Sequence, residues 1–164
     1  MSYAVPLRDI KLALQTAGLD DIAAMPGFEE TVPDLVESIL VEAAKVADNT
    51  LAPLNRVGDA QGARLVDGKV VVSPGWTEAW QALVEGGWNG VAAPAELGGM
   101  GLPELLGFAI AEMWQSANMA FALCPMLTQG AVNAVRVYGN DEQRARYLPR
   151  MISGEWTGTM NLTE

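Results

Sequence analysis

Histidine is absent from the 164 residues, and with it goes much of the chemistry a side chain can perform at neutral pH. Ser-His and Cys-His nucleophile pairs, and metal sites built on imidazole, all need that ring. The only cysteine, Cys124, lies in the apolar run from Met119 to Leu127, where its expected role is that of a small buried hydrophobe. A single thiol also rules out an internal disulfide and favours a reducing compartment. The glycine-rich Glu96-Leu-Gly-Gly-Met-Gly-Leu102 follows no strand pattern, and no GxxxxGK[ST] stretch occurs, so nothing points to a cradle for nucleotide phosphates. The remaining titratable residues form no constellation that the spacing declares.

Composition narrows the partners. Twenty acidic residues against ten basic leave a formal charge of −10, which repels phosphate backbones and anionic lipid, so nucleic acid is excluded as a partner. Half of the residues are hydrophobic and five are Trp, enough for a packed core rather than an acidic disordered chain. The run at Cys124 falls far short of the roughly 20 apolar residues of a membrane span. Near the N-terminus, Arg8 and Asp9 interrupt any stretch that could serve as a signal peptide. A cytoplasmic location is the default expectation.

The elements that would position any site are mainly helices. Leu7, Ile10, Leu12 and Leu14 suggest a short helix stopped by Gly18. Pro33 opens a longer one, because a proline in the first turn lacks only an N–H that would be unpaired anyway. Val36, Ile39, Leu40, Ala43, Val46, Ala47 and Leu51 recur along it at spacings of three and four, with an expected end near Pro53. Asp67-Gly68 between β-prone runs predicts a small hairpin within residues 63–72. Helical spacing returns from Trp76 to Val84, followed by a Gly- and Pro-rich loop over 89–103. Two apolar helices are expected over 104–117 and 119–137, with Pro125 bending or splitting the second. Asn140 and Gln143 read as a capping box for a helix that reaches about Met151, and Gly154 is placed to end it. After Glu155 the pattern alternates towards β. The expected fold class is all-α, an up-and-down helical bundle with a small hairpin and the first strand of a β-domain. Its expected division is an N-terminal extension over 1–30, the helical domain over 31–156, and a cut-short start of the β-domain over 157–164.

Two ordered stretches carry a resemblance. Pro94-Ala-Glu-Leu-Gly-Gly-Met-Gly-Leu102 resembles the Pro-Glu-x-x-Gly-Gly-x-Gly loop of the acyl-CoA dehydrogenases, which precedes the helices lining their acyl pocket. Gly139-Asn-Asp-Glu-Gln-Arg-Ala-Arg-Tyr-Leu-Pro-Arg-Met-Ile-Ser-Gly-Glu155 is similar to that family's last helix before its β-domain, and Met160-Asn-Leu-Thr-Glu164 to the opening of its flavin-binding strand. Tyr3-Ala-Val-Pro-Leu-Arg-Asp-Ile10, Leu51-Ala-Pro-Leu-Asn-Arg-Val-Gly58 and Ser116-Ala-Asn-Met-Ala-Phe-Ala122 look like the larger members similar to 3-(methylthio)propanoyl-CoA dehydrogenase.

The resemblance implies an FAD-dependent α,β-dehydrogenation of an acyl-CoA, in which a carboxylate takes the α-proton and the β-hydride passes to the flavin. The family's base belongs to a C-terminal helical domain, so Glu96, Glu112, Glu155 and Glu164 are not assigned that role, and no catalytic residue is expected here. It implies flavin contacts from Met160, Leu162 and Thr163, and an acyl pocket between residues 104–117 and 119–137, with Glu112 near its floor and Phe121 in its lining. It further implies electron-transfer flavoprotein as the electron acceptor and a homo-oligomeric enzyme. An acyl-CoA oxidase, or a helical module that acts through protein contacts alone, are the alternatives the residues leave open.

Overall fold

The computed structural model describes residues 3–159, and over these the chain is mostly helical with one two-stranded hairpin. Helix α1 (Leu7–Thr16) turns Ile10 and Leu14 into the core. Gly18, at φ 86°, ends it as the sequence predicts, but the chain re-enters a short helix at once, α2 (Leu19–Ala23).

Helix α3 (Pro33–Val46) starts with Val32 extended and Pro33 in the first turn. The end expected near Pro53 does not occur. Ala47–Leu51 widens into a π-turn, in which the Ala52 N–H reaches the Ala47 carbonyl, and α4 (Ala52–Gln61) carries on from it. The wider turn resets the hydrogen-bond ladder, so that Pro53 again falls in a first turn where no N–H is required of it.

Strands β1 (Arg64–Val66) and β2 (Lys69–Val71) pair antiparallel with Leu65 opposite Val70. Asp67 and Gly68 between them both hold positive φ, 49° and 74°, the two-residue turn whose twist matches the strands. Helix α5 (Trp76–Glu85) follows, and its Trp80 indole N–H donates to the Gly154 carbonyl at 3.2 Å, tying it to the far end of the chain.

Helix α6 (Glu104–Tyr138) contains one residue with non-helical backbone, Asn118 (φ −158°, ψ 86°), which divides it into limbs 104–117 and 119–138. The break therefore falls at Asn118 and not at Pro125. Proline at 125 removes a single rung, the bond its N–H would make to the Phe121 carbonyl, and the second limb survives that loss. Helix α7 (Asp141–Ser153) is capped as predicted: Asn140 accepts from the Gln143 N–H, and the Gln143 side chain accepts from the Asn140 N–H, at 2.9 Å each. Gly154, at φ 83°, terminates it.

The main core gathers Leu40, Leu51, Leu83, Leu106 and Met113, all nearly inaccessible to solvent. A smaller cluster of Ala93, Val132, Leu148, Met151 and Ile152 seats α7 on the second limb of α6. Residues of the expected N-terminal extension share the main core through Ile10, Leu14 and Leu19. Two hydrogen bonds hold the segment before α1 to the bundle: the Val5 N–H donates to Asp48 Oδ1 at 2.9 Å, and the Tyr3 hydroxyl to the Met113 carbonyl at 3.3 Å. At the other end, residues 157–159 form no strand and instead lie along α6, where the Gly158 N–H donates to Thr128 Oγ1 at 3.1 Å. The approach is close enough that a Cβ on Gly158 would overlap that of Ala131.

Candidate functional site

One wall of the candidate site is the glycine-rich loop, whose shape comes from its own backbone. The Gly99 N–H donates to the Pro94 carbonyl (3.0 Å), Met100 to Gly90 (2.8 Å), Gly101 to Ala93 (2.9 Å) and Leu102 to Val91 (3.1 Å). These N–H groups are spent inside the loop, so its glycines serve close approach and turning rather than anion binding. Gly98 holds φ 88°, and a Cβ on Gly99 would run into the Ala93 carbonyl oxygen. The loop delivers the buried Leu102 and Pro103 and then the start of α6.

The other walls are the two limbs of α6. Gly107 and Asn133 line the same cleft, although a straight helix at 1.5 Å per residue would hold them about 39 Å apart. The chain must therefore bend sharply between them, and the single non-helical residue puts the bend at Asn118. This side chain is fully buried. Its Nδ2 donates to the Leu51 carbonyl at 3.2 Å, and its Oδ1 accepts the Phe121 N–H at 3.1 Å. The cleft so formed has a volume of about 360 Å³, within the range of small-molecule sites.

Its lining is apolar with a few polar groups. Phe108, Ala111 and Trp114 face it from the first limb, and Ala122, Pro125 and Met126 from the second. Asn89, Gln115, Gln129 and Asn133 supply side-chain amides, and Glu104, in the first turn of α6, is the one ionisable residue among the described residues of the lining. The indole N–H of Trp114 and both polar atoms of the Asn89 side chain are buried without a hydrogen-bond partner, in residues that border the cleft. Each such group costs about 1–3 kcal/mol relative to a satisfied one unless water or a ligand supplies the partner.

The predicted site residues separate in space. Glu112 is exposed and lines a shallow depression beside the cleft with Phe108, Ala111 and Met119. Phe121 faces the other way: it is buried in the core with Trp76 edge-on at 5.4 Å and Trp80 at 6.3 Å between ring centres, and it takes no part in the cleft. Met160, Leu162 and Thr163 lie outside the described residues. Glu96 and Glu155 are exposed, as expected of surface carboxylates. Cys124 is exposed rather than buried, because the apolar run around it belongs to a limb with only one face on the core; partial burial still pushes its thiol pKa up, against a hydrogen bond from Thr128. Among the described residues no group of carboxylates and thiols is placed to hold a metal ion, and no helix is long and apolar enough to cross a membrane.

Sequence reasoning passes over Asn118 and the amides facing the cleft. A signal for Asn118 exists: asparagine is a weak helix former and a strong N-cap, and here it interrupts an otherwise apolar helical run. Gln129, Gly130 and Asn133 carry no such signal, since their arrangement depends on the bend.

Comparison with known proteins gives a consistent answer. A family model described as "Acyl-CoA dehydrogenase, N-terminal domain" matches residues 36–155. Over its whole length the chain is 42% identical to a 3-methylmercaptopropionyl-CoA dehydrogenase of Ruegeria pomeroyi, of which it covers 28%. It is 28% identical to a butyryl-CoA dehydrogenase of Syntrophomonas wolfei, with 99% of this chain and 27% of that protein aligned. With the mitochondrial isovaleryl-CoA dehydrogenase of Arabidopsis thaliana it shares 29% identity over 84% of this chain and 31% of the relative. The chain thus spans less than a third of the length of these relatives.

Proposed function

Because this chain belongs to the acyl-CoA dehydrogenase family, whose N-terminal domain it carries, we propose that it serves the α,β-dehydrogenation of an acyl-CoA thioester and that its cleft receives the acyl group. The observation that carries this reading is the cleft itself, apolar, folded between the two limbs of α6, and free of cationic side chains among the described residues. Such walls favour an uncharged acyl group and give no ion pair to one ending in a carboxylate. The four side-chain amides of the lining, Asn89, Gln115, Gln129 and Asn133, offer hydrogen bonds to a heteroatom within the chain. A 3-methylmercaptopropionyl group, the substrate named for the Ruegeria relative, has those properties, and Glu112 would border its far end.

FAD would supply the hydride acceptor for the β-carbon. Met160, Leu162 and Thr163 are the residues we assign to contact its ring, and Gly158, anchored on Thr128 beside the cleft-lining Gln129 and Gly130, leads the sequence towards them. None of the carboxylates of this chain is assigned the role of base. Electron-transfer flavoprotein is the proposed electron acceptor, a homo-oligomer the proposed assembly, and the cytoplasm the proposed location.

Gly130 provides the test. It lines the cleft, and a Cβ there meets nothing within 4 Å. Gly130→Ala is expected to raise stability by about 0.5–1 kcal/mol, since glycine in a helix interior is costly relative to alanine. Gly130→Leu fills the cleft without touching the core, so kcat/KM for the preferred acyl-CoA is expected to fall about tenfold or more while the thermal midpoint stays at or above that of the unsubstituted protein. Unchanged kinetics in a folded Gly130→Leu variant would remove the acyl group from this cleft.

A further inference from the structure

The two limbs of α6 meet at one residue, and that residue is held from both sides. Asn118 is the only residue from Glu104 to Tyr138 whose backbone leaves the helical region, and none of its surface is exposed. A buried amide is tolerated when its donor and acceptor are both used. One end of this amide caps the second limb at Phe121, whose N–H lies in a first turn and lacks an intrahelical partner. The other end ties to the carbonyl of Leu51, the last residue of the π-turn between α3 and α4. Two irregularities in two different helices are thus joined by one side chain, and the second places a fixed point of the bundle at the apex of the bend.

We propose that Asn118 is a positioning residue of the cleft: its amide fixes the angle between the limbs of α6 against the π-turn and so sets the spacing of the cleft walls. An ordinary helix kink lacks such an anchor and would leave the limbs free to open. The hinge follows from geometry alone, and only its effect on substrate rests on the acyl reading given above.

Asn118→Asp keeps an acceptor for the Phe121 N–H but turns an oxygen towards the Leu51 carbonyl, and Asn118→Ala removes both bonds. Phe108 and Met126 are exposed and line the cleft from opposite limbs, so nitroxide labels on Phe108→Cys and Met126→Cys, in a Cys124→Ser background, read the opening by double electron–electron resonance. The expected result is one narrow distance with Asn118 present, and a shifted or broadened one in both variants at retained helix content. An unchanged distribution accompanied only by a lower thermal midpoint would overturn the hinge. Hydrogen exchange supplies a reading that needs no variant: the Phe121 amide of the unsubstituted chain is expected to be protected like a helix interior, and exchange as fast as an open first-turn amide would also overturn it. In the protein of natural length, Asn118→Asp is expected to raise KM for the acyl-CoA about tenfold or more, with a smaller change in kcat. A moved distance with unaltered KM supports the hinge and overturns the acyl reading of the cleft.

Discussion

Replacing Gly99 with alanine is expected to cost about 3 kcal/mol of unfolding free energy, seen in a urea titration as a lower midpoint at unchanged slope. The new Cβ would stand against the backbone carbonyl of Ala93, and the loop has little room to retreat, since Met100, Gly101 and Leu102 donate hydrogen bonds to the segment from Gly90 to Ala93. Relief of the clash breaks at least one of those bonds or shifts Val91 and Ala92, which line the cleft. Against a total stability of about 5–15 kcal/mol for a domain of ordinary size, that is a large fraction. Gly98→Ala is the internal comparison. Its Cβ meets nothing within 4 Å but must adopt φ 88°, a conformational cost of about 1–2 kcal/mol. A Gly99→Ala variant no less stable than Gly98→Ala would mean that close approach to Ala93 does not shape this loop.

Truncating Phe121 is expected to have the second large effect. Phe121→Ala removes a buried ring from between Trp76 and Trp80 and leaves a cavity, which costs about 3–5 kcal/mol. Loss of the edge-on contacts should also flatten the near-ultraviolet circular dichroism of the two indoles. Ligand affinity should follow the folded fraction and no more, because Phe121 is turned away from the cleft. A wall residue would behave in the opposite way, with stability changed by less than about 0.5 kcal/mol and binding altered directly.

The contrast between these two residues indicates where sequence reading succeeds. Features written in a few neighbouring residues are legible: the Asp67-Gly68 turn, Pro33 in a first turn, the Asn140 and Gln143 capping box, and Gly154 at a left-handed terminus. Each is a local backbone requirement that only a few residue types meet. The same holds for Gly98 and Gly99, whose glycine-rich motif is recognisable before its geometric reason is known. Pro53 and Pro125 mislead because a proline marks a missing rung without saying how the helix will absorb it. In one case the answer is a π-turn, and in the other the bend falls seven residues earlier, at Asn118.

The site is less legible than the fold. Apolar periodicity on the second limb fits a core, a cleft wall and an unpartnered face equally well. Phe121 belongs to the first, Met126 to the second, and Cys124 with Leu123 to the third. Which face is which depends on the bend at Asn118, and that bend is fixed by a hydrogen bond to Leu51, far away in sequence. Glu112 is adjacent to the cleft rather than in it: it lines the neighbouring depression, which shares Phe108, Ala111 and Gln115 with the cleft.

The proposed activity, dehydrogenation of an uncharged acyl-CoA with FAD by the enzyme to which this domain belongs, is open to direct test. The measurement that meets it most directly is an anaerobic titration of the protein, in its natural length and as purified, with 3-methylmercaptopropionyl-CoA, following the flavin absorbance and the acyl product together. The expected result is that FAD is carried by the protein and is bleached in proportion to the thioester added, with one unsaturated acyl-CoA formed per flavin reduced. A folded protein that carries FAD yet is not bleached by this or any other uncharged acyl-CoA, or one that carries no flavin at all, would contradict it.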